Sequence, residues 1–201
     1  MSKLVNKISP SILSMIRMDH THVMATFHQY MLSSSPSKKR AIVDNICLAV
    51  SMHAQLEEEL FYPEMRKVKH DDAVLDKSEP EHNEMRQIMD RLRGADPAGK
   101  GYDQAVMALM REIMHHVADE ETTLLPEAEK YISKDRLAEL GAEWTRRRVH
   151  MAKPYVGEIA YNTARTFTKG TVLALAGTAL AAGYMFSRSS HKADHTAYAR
   201  H

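Results

Sequence analysis

Two separated stretches of this chain carry one pattern, and that duplication constrains the fold more than any other feature. The first reads His53-x-x-x-Glu57-Glu58-x-x-x-x-Pro63; the second reads His116-x-x-x-Glu120-Glu121-x-x-x-x-Pro126. A chain of this length and composition is expected to hold the full pattern on the order of 0.002 times, whereas about one bare His-x-x-x-Glu arises by chance. Each copy is preceded by an acid–histidine pair, Asp19-His20 and Glu81-His82, at nearly equal distance. The repeated unit is therefore a helical hairpin, and two such units predict a pseudo-two-fold bundle.

Four residues bring an α-helix back to nearly the same face after about 6 Å of rise. His53 and Glu57 then reach one point in a core, as do His116 and Glu120. Histidine is abundant, at 12 of 201 residues, and the four helices each carry one on the apolar stripe. Adding His20 and His82 completes a set of six. Buried imidazoles and carboxylates without partners cost several kcal/mol each, a penalty that a bound cation removes. Imidazole with carboxylate and no thiolate suits iron, manganese or zinc, and carboxylates able to bridge suit a pair of ions.

The rest of the chain agrees with helices. Ser9-Pro10 and Ser35-Pro36 each read as a hydroxyl cap with Pro at the first helical position. Leu13, Ile16, Val23 and Phe27 mark one stripe; Ile42, Ile46, Val50, Leu56 and Phe61 mark the next. Pro63 is expected to end or kink the second helix. A polar link over 67–77 follows, with Ser78 and Glu81 as a capping box for helix three. The Gly- and Pro-bearing stretch 94–101 is a loop. Helix four runs up to Pro126, and Ser133 caps a further helix through Leu137, Leu140 and Trp144. The expected fold is all-α: an antiparallel up-down-up-down four-helix bundle over 9–131, with a helical extension over 132–168.

At this point the chain resembles the hemerythrin-like (HHE cation-binding) family. The resemblance rests on the DH of helix one, HAQLEEELFYP, the EH of helix three and HHVADEETTLLP, over roughly residues 10–131. It implies a non-haem di-iron centre, with a solvent oxygen between the ions. His20, His53, His82 and His116 would be terminal ligands, and Glu57 and Glu120 would bridge. Oxygen carriers of this kind have a second histidine four residues after that of helix three, where this chain has Arg86. One imidazole fewer leaves an open position, which favours reaction with O₂, peroxide or nitric oxide over reversible storage. That implies a role in stress response; the alternative is a non-enzymatic metal or redox sensor signalling through the C-terminal helix.

Other residues receive plainer readings. Glu58 and Glu121 lie one residue round the helix and read as solvated groups or supports to the ligands. Asp19 and Glu81 read equally as orienting groups or exposed charges. His22 and His115 are surface histidines, Cys47 is a buried thiol, and Met85, Met89, Met107, Met110 and Met114 form a pliable core stripe. A single cysteine excludes a disulfide framework, a thiolate zinc site and an iron–sulfur cluster held by this chain alone.

With 27 Lys+Arg against 26 Asp+Glu, the chain has a formal charge of +1 and no general nucleic-acid footprint. Residues 170–186 carry no charge and form about 26 Å of helix, short for a bilayer core. Arg146, Arg147, Arg148, Lys153, Arg165 and Lys169 precede them, a flank that would keep the metal domain cytoplasmic. The segment 169–187 reads as a membrane tail or a docking helix, with 188–201 a polar tail. Small residues at Gly170, Ala174 and Thr178 would let two copies pack as a homo-oligomer. Residues 1–10 lack the apolar run of a secretory signal.

Overall fold

The structure is a computed structural model and describes residues 10–69 and 72–166; those residues form helices and connecting turns, without a strand. Four rods make an antiparallel bundle. The first is α1 (Ile12–Phe27), opened by Ser11, whose hydroxyl accepts the Ser14 N–H at 3.2 Å. The cap is thus Ser11, after Pro10 and not before it; Ser9 lies outside the described residues. The second rod opens at Ser35 as expected, with α2 (Pro36–Leu56) running through a π-turn (Glu57–Phe61) into α3 (Tyr62–Val68). The third is α4 (Ala73–Gly94). The fourth repeats the second: α5 (Tyr102–Asp119), a π-turn (Glu120–Leu124) and α6 (Leu125–Tyr131).

The prolines of the repeat correct one expectation. Neither Pro63 nor Pro126 ends its rod. In an α-helix a proline ring would meet the carbonyl four residues back and leave it without a donor. Here the turn before each proline is widened instead, the Tyr62 N–H reaching the Glu57 carbonyl and the Leu125 N–H the Glu120 carbonyl. Such π-turns place one extra residue in the coil while the rod continues.

Helix three also starts earlier than its capping box suggests. Asp72 is the cap, its carboxylate accepting from the Val74 and Leu75 N–H groups at 2.9 and 3.1 Å. Ser78 lies within α4 and donates to the Val74 carbonyl at 2.8 Å, with Pro80 also inside the helix.

Beyond the four rods, Ser133 caps α7 (Lys134–Ala152), and a 3₁₀ turn (Lys153–Tyr155) leads to α8 (Val156–Thr166). The extension packs on the bundle, α7 along α1 and α8 along α2. Trp144 of α7 is wholly buried in one half of the core, among Ile16, Phe61, Leu124 and Leu140. The other half holds Ile42, Ile46, Met89, Leu92 and Val106. Of the methionine stripe, Met85, Met89 and Met110 are core, whereas Met107 and Met114 are 39% and 52% exposed, so the stripe turns out of the bundle. Cys47 is buried, and that burial pushes its thiol up to about 12. No described helix is long and apolar enough to cross a membrane, and the candidate segment 169–187 with the polar tail lies outside the described residues.

Candidate metal centre

The six candidate ligands meet between the two halves of the core. Glu57 and Glu120 are fully buried, and His82, His116, His20 and His53 are 1–7% exposed. His20 and His82 are presented by α1 and α4, His53 and His116 by the last turns of α2 and α5, and Glu57 and Glu120 by the starts of the two π-turns, so the duplicated hairpins supply three residues each.

The imidazoles face one another in pairs. His20 Nε2 lies 3.2 Å from His53 Nε2, and His82 Nε2 lies 3.0 Å from His116 Nε2. Two nitrogens bound to one cation at about 2.1 Å each are separated by about this span. Glu57 lies between the pairs, with Oε1 3.1 Å from His53 Nε2 and Oε2 3.4 Å from His82 Nε2. Glu120 Oε2 is 3.3 Å from His20 Nε2 and 3.7 Å from His116 Nε2. Two donor groups result: His20, His53, Glu57 and Glu120, and Glu57, His82 and His116, each with its ligand atoms within 4.8 Å of one another.

The far side of each ring is equally ordered. Carboxylates only accept, so each Nδ1 donates: His20 to Glu121 at 2.9 Å, His53 to Asp19 at 3.2 Å, His82 to Glu58 at 2.8 Å and His116 to Glu81 at 2.9 Å. Each bond crosses between rods and fixes the tautomer that leaves an Nε2 lone pair pointing inward. Asp19, Glu58, Glu81 and Glu121 are therefore supports of the imidazoles, which decides between the readings left open for them. The π-turns make this possible for the paired glutamates, since the wider coil lets Glu57 enter the core while its neighbour Glu58 reaches the back of His82. Each supporting carboxylate in turn meets a cation: Glu121 Arg17 at 3.2 Å, Glu58 Arg86 at 2.7 Å, Glu81 Lys77 at 3.5 Å, and Asp19 Arg148. His22 and His115 are exposed and outside this arrangement.

Electrostatics follow from the crowding. Burial opposes a charged His53, yet Glu57 and Glu120 hold it protonated above the ordinary range. His116 resists the same burial and is raised to about 10 by Glu120, Glu57 and Glu81. Burial would raise Glu57, but His53, His116 and His82 hold it well below the usual carboxylate range. Even so, Glu57 Oε1 and Glu120 Oε2 are buried without a hydrogen-bond donor. Orphaned carboxylate oxygens among convergent imidazole Nε2 atoms are the signature expected of residues that hold a cation, so this donor set fits a metal.

Three residues at the site escape the helical spacing argument. Tyr62 donates to Glu120 Oε1 at 3.0 Å and lies 3.4 Å from both Glu57 Oε2 and His82 Nε2. Its counterpart in the second repeat is Leu125, so the difference between the two copies is the trace it leaves in the sequence. Burial and the two glutamates push the phenol well above its ordinary pKa. Trp144 stands edge-on to His53, ring centres 5.9 Å apart. Arg148 lies over that indole at 5.7 Å and pairs with Asp19, while Arg147 pairs with Glu59 at 2.6 Å. Two of the arginines read as a flank to the apolar tail are thus bound to the bundle.

A small cavity of about 20 Å³ adjoins the centre. It is lined by the four histidines and by apolar side chains that include Val23, Val50, Met85 and Ile113.

A family model described as the hemerythrin HHE cation binding domain matches residues 11–128. A DNA nickase from Nostoc sp. strain PCC 7120 is 26% identical over 139 residues, 69% of this chain and 39% of that protein, so the chain spans well under half of that relative's length. The crystal structure of a hemerythrin HHE cation binding domain-containing protein from Mycobacterium kansasii aligns with a TM-score of 0.62 at 16% identity, covering 81% of this chain and 97% of that one. At that identity the likeness is one of fold.

Proposed function

The chain belongs to the hemerythrin HHE cation-binding family, and from that premise we propose that it holds two non-haem irons and binds or reacts with a small oxidant: O₂, peroxide or nitric oxide. His20 with His53, and His82 with His116, would each hold one ion. Glu57, common to both donor groups, would bridge them, with Glu120 as the second carboxylate. When bound, iron supplies open positions and one-electron chemistry.

The observation that carries the oxidant reading is the cavity. It touches all four histidines, its volume of about 20 Å³ suits a molecule of water's size, and Asp19 apart the rest of its lining is apolar. A diatomic or hydrogen peroxide fits such a space; an organic substrate does not. The protein's own groups act around it. The four Nδ1–carboxylate bonds orient the imidazoles. Tyr62 holds a proton 3.0 Å from Glu120 Oε1, where it can be shared as charge at the centre changes. Arg86, in the place of a further imidazole, is turned to Glu58 and leaves the ions one nitrogen ligand fewer.

DNA nicking belongs to a relative of which this chain matches a minority, and a formal charge of +1 offers little counterion-release drive toward DNA. The small-oxidant reading is tested by metal analysis and visible spectra of aerobically purified protein, then by mixing the reduced form with peroxide or nitric oxide. Two irons per chain and spectral change with either molecule are expected. A folded chain without metal overturns the reading; binding without turnover above a Glu57→Ala control assigns the centre to a sensor.

A further inference from the structure

Of the four carboxylates behind the imidazoles, Asp19 alone lines the inner cavity among the described residues. Asp19 also lines a second, outer space: a groove of about 370 Å³ between α1, α2 and α7, whose walls include Met18, Ala49, Met52 and Arg148. Asp19 thus borders both the histidine cavity and a groove on the surface. Arg148 closes that side chain from outside, through an ion pair with Asp19.

We propose that small oxidants reach the centre by this groove, and that Arg148 is the gate and sets which molecules pass. The inference rests on the small-oxidant reading and extends it to a route and a residue. Arg148 is suited to the part. Its guanidinium is held by one carboxylate and by the Trp144 face, and its Nε has no partner. Swinging it outward breaks one ion pair and leaves Asp19 bonded to His53 Nδ1, so the gate opens without disturbing a ligand. The other three cations stand over carboxylates that do not line the cavity, so moving them uncovers nothing. A guanidinium at the mouth admits neutral and anionic molecules in preference to cations, and the cavity behind it rejects bulk.

Trp144 is the one tryptophan of the chain and lies beneath Arg148, so access can be read with or without metal. The full-length protein is compared with Arg148→Ala, which opens the mouth, and Ala49→Leu, which narrows the groove and touches no ligand. Quenching of Trp144 fluorescence by acrylamide is measured on the metal-free forms. Reaction with hydrogen peroxide and with tert-butyl hydroperoxide is followed by stopped flow on the iron-loaded, reduced forms at matched metal content. Arg148→Ala is expected to raise quenching and to raise the rate with hydrogen peroxide about two- to fivefold, the worth of one partly exposed ion pair, while tert-butyl hydroperoxide stays slow because the cavity behind the mouth excludes it. Ala49→Leu is expected to slow hydrogen peroxide. Unchanged quenching and unchanged rates in both variants overturn the gate. Failure of the parent protein to take up iron overturns the small-oxidant reading instead, and the quenching result then still decides whether Arg148 controls access.

Discussion

Each histidine of this centre is the inner end of a chain of alternating charge. An inward Nε2 is backed by an Nδ1–H, that proton by a carboxylate, and that carboxylate by an arginine or lysine, four times over. Such chains preorganise the lone pairs and damp the field that a bound cation would otherwise spread through an apolar core. Within this frame Glu57 and Glu120 are unequal, because Glu57 serves both donor groups and Glu120 one. Under the proposed two-iron occupancy, Glu57→Ala is therefore expected to lose both ions, leaving less than one per chain. Glu120→Ala is expected to keep about one, held by His82, His116 and Glu57. Metal analysis after desalting distinguishes them, and equal loss in both would refute the inequality. That His53 meets Glu57, and His116 meets Glu120, was legible because a contact between residues four apart on one helix is written in local spacing. The Tyr62, Trp144 and Arg148 contacts were not, since each depends on how distant elements pack.

Between elements, the decisive contact is that of α7 with α1. Gly141 stands where a Cβ would collide with the Pro10 carbonyl oxygen and come within 2.9 Å of the Ser11 carbonyl carbon. Those atoms are backbone and cannot rotate away. Gly141, Trp144 and Arg148 recur at three and four residues, so one face of α7 carries the close approach, the indole against His53 and the guanidinium on Asp19. Gly141→Ala is expected to push that face outward and to cost about 1–3 kcal/mol, as overpacking does. The fall should show in the denaturation midpoint together with increased Trp144 quenching; a midpoint unchanged within error would show that the helices yield. The Gly141 requirement lies in a backbone-to-backbone approach that no spacing records. The start of α4 was missed for a different reason. Ser78 and Glu81 have the spacing of a capping box, but Asp72 offers its carboxylate to two N–H groups six residues earlier, and Pro80 lies inside the helix without ending it.

For the molecule as a whole, the extension is part of the core, and the metal is linked to protons. A chain ending at residue 131 would expose Ile12, Ile16, Phe61 and Leu125, which Trp144 and Leu140 help to cover, and is expected to aggregate or melt far lower. One ending at residue 166 keeps every contact described and should retain the parent's metal content, checked by the same analysis. In the metal-free centre His53 and His116 neutralise the two glutamates. His116 is raised from an ordinary value near 6.5 to about 10, so the stability it contributes is complete below about pH 6.5 and is lost as pH rises through 10. Glu57 is shifted down, so its contribution is present above the ordinary carboxylate value and disappears as pH falls through its lowered one. Metal uptake needs the Nε2 lone pairs and must displace those protons. Rising pH therefore weakens the metal-free protein while it strengthens metal binding. The difference in melting temperature between loaded and metal-free protein should widen steadily from pH 6 to pH 9, and uptake at pH 7 should release protons into a weakly buffered solution. A constant difference across that range, with no acidification, would mean that the imidazoles are already neutral and that the charge balance of the centre lies elsewhere.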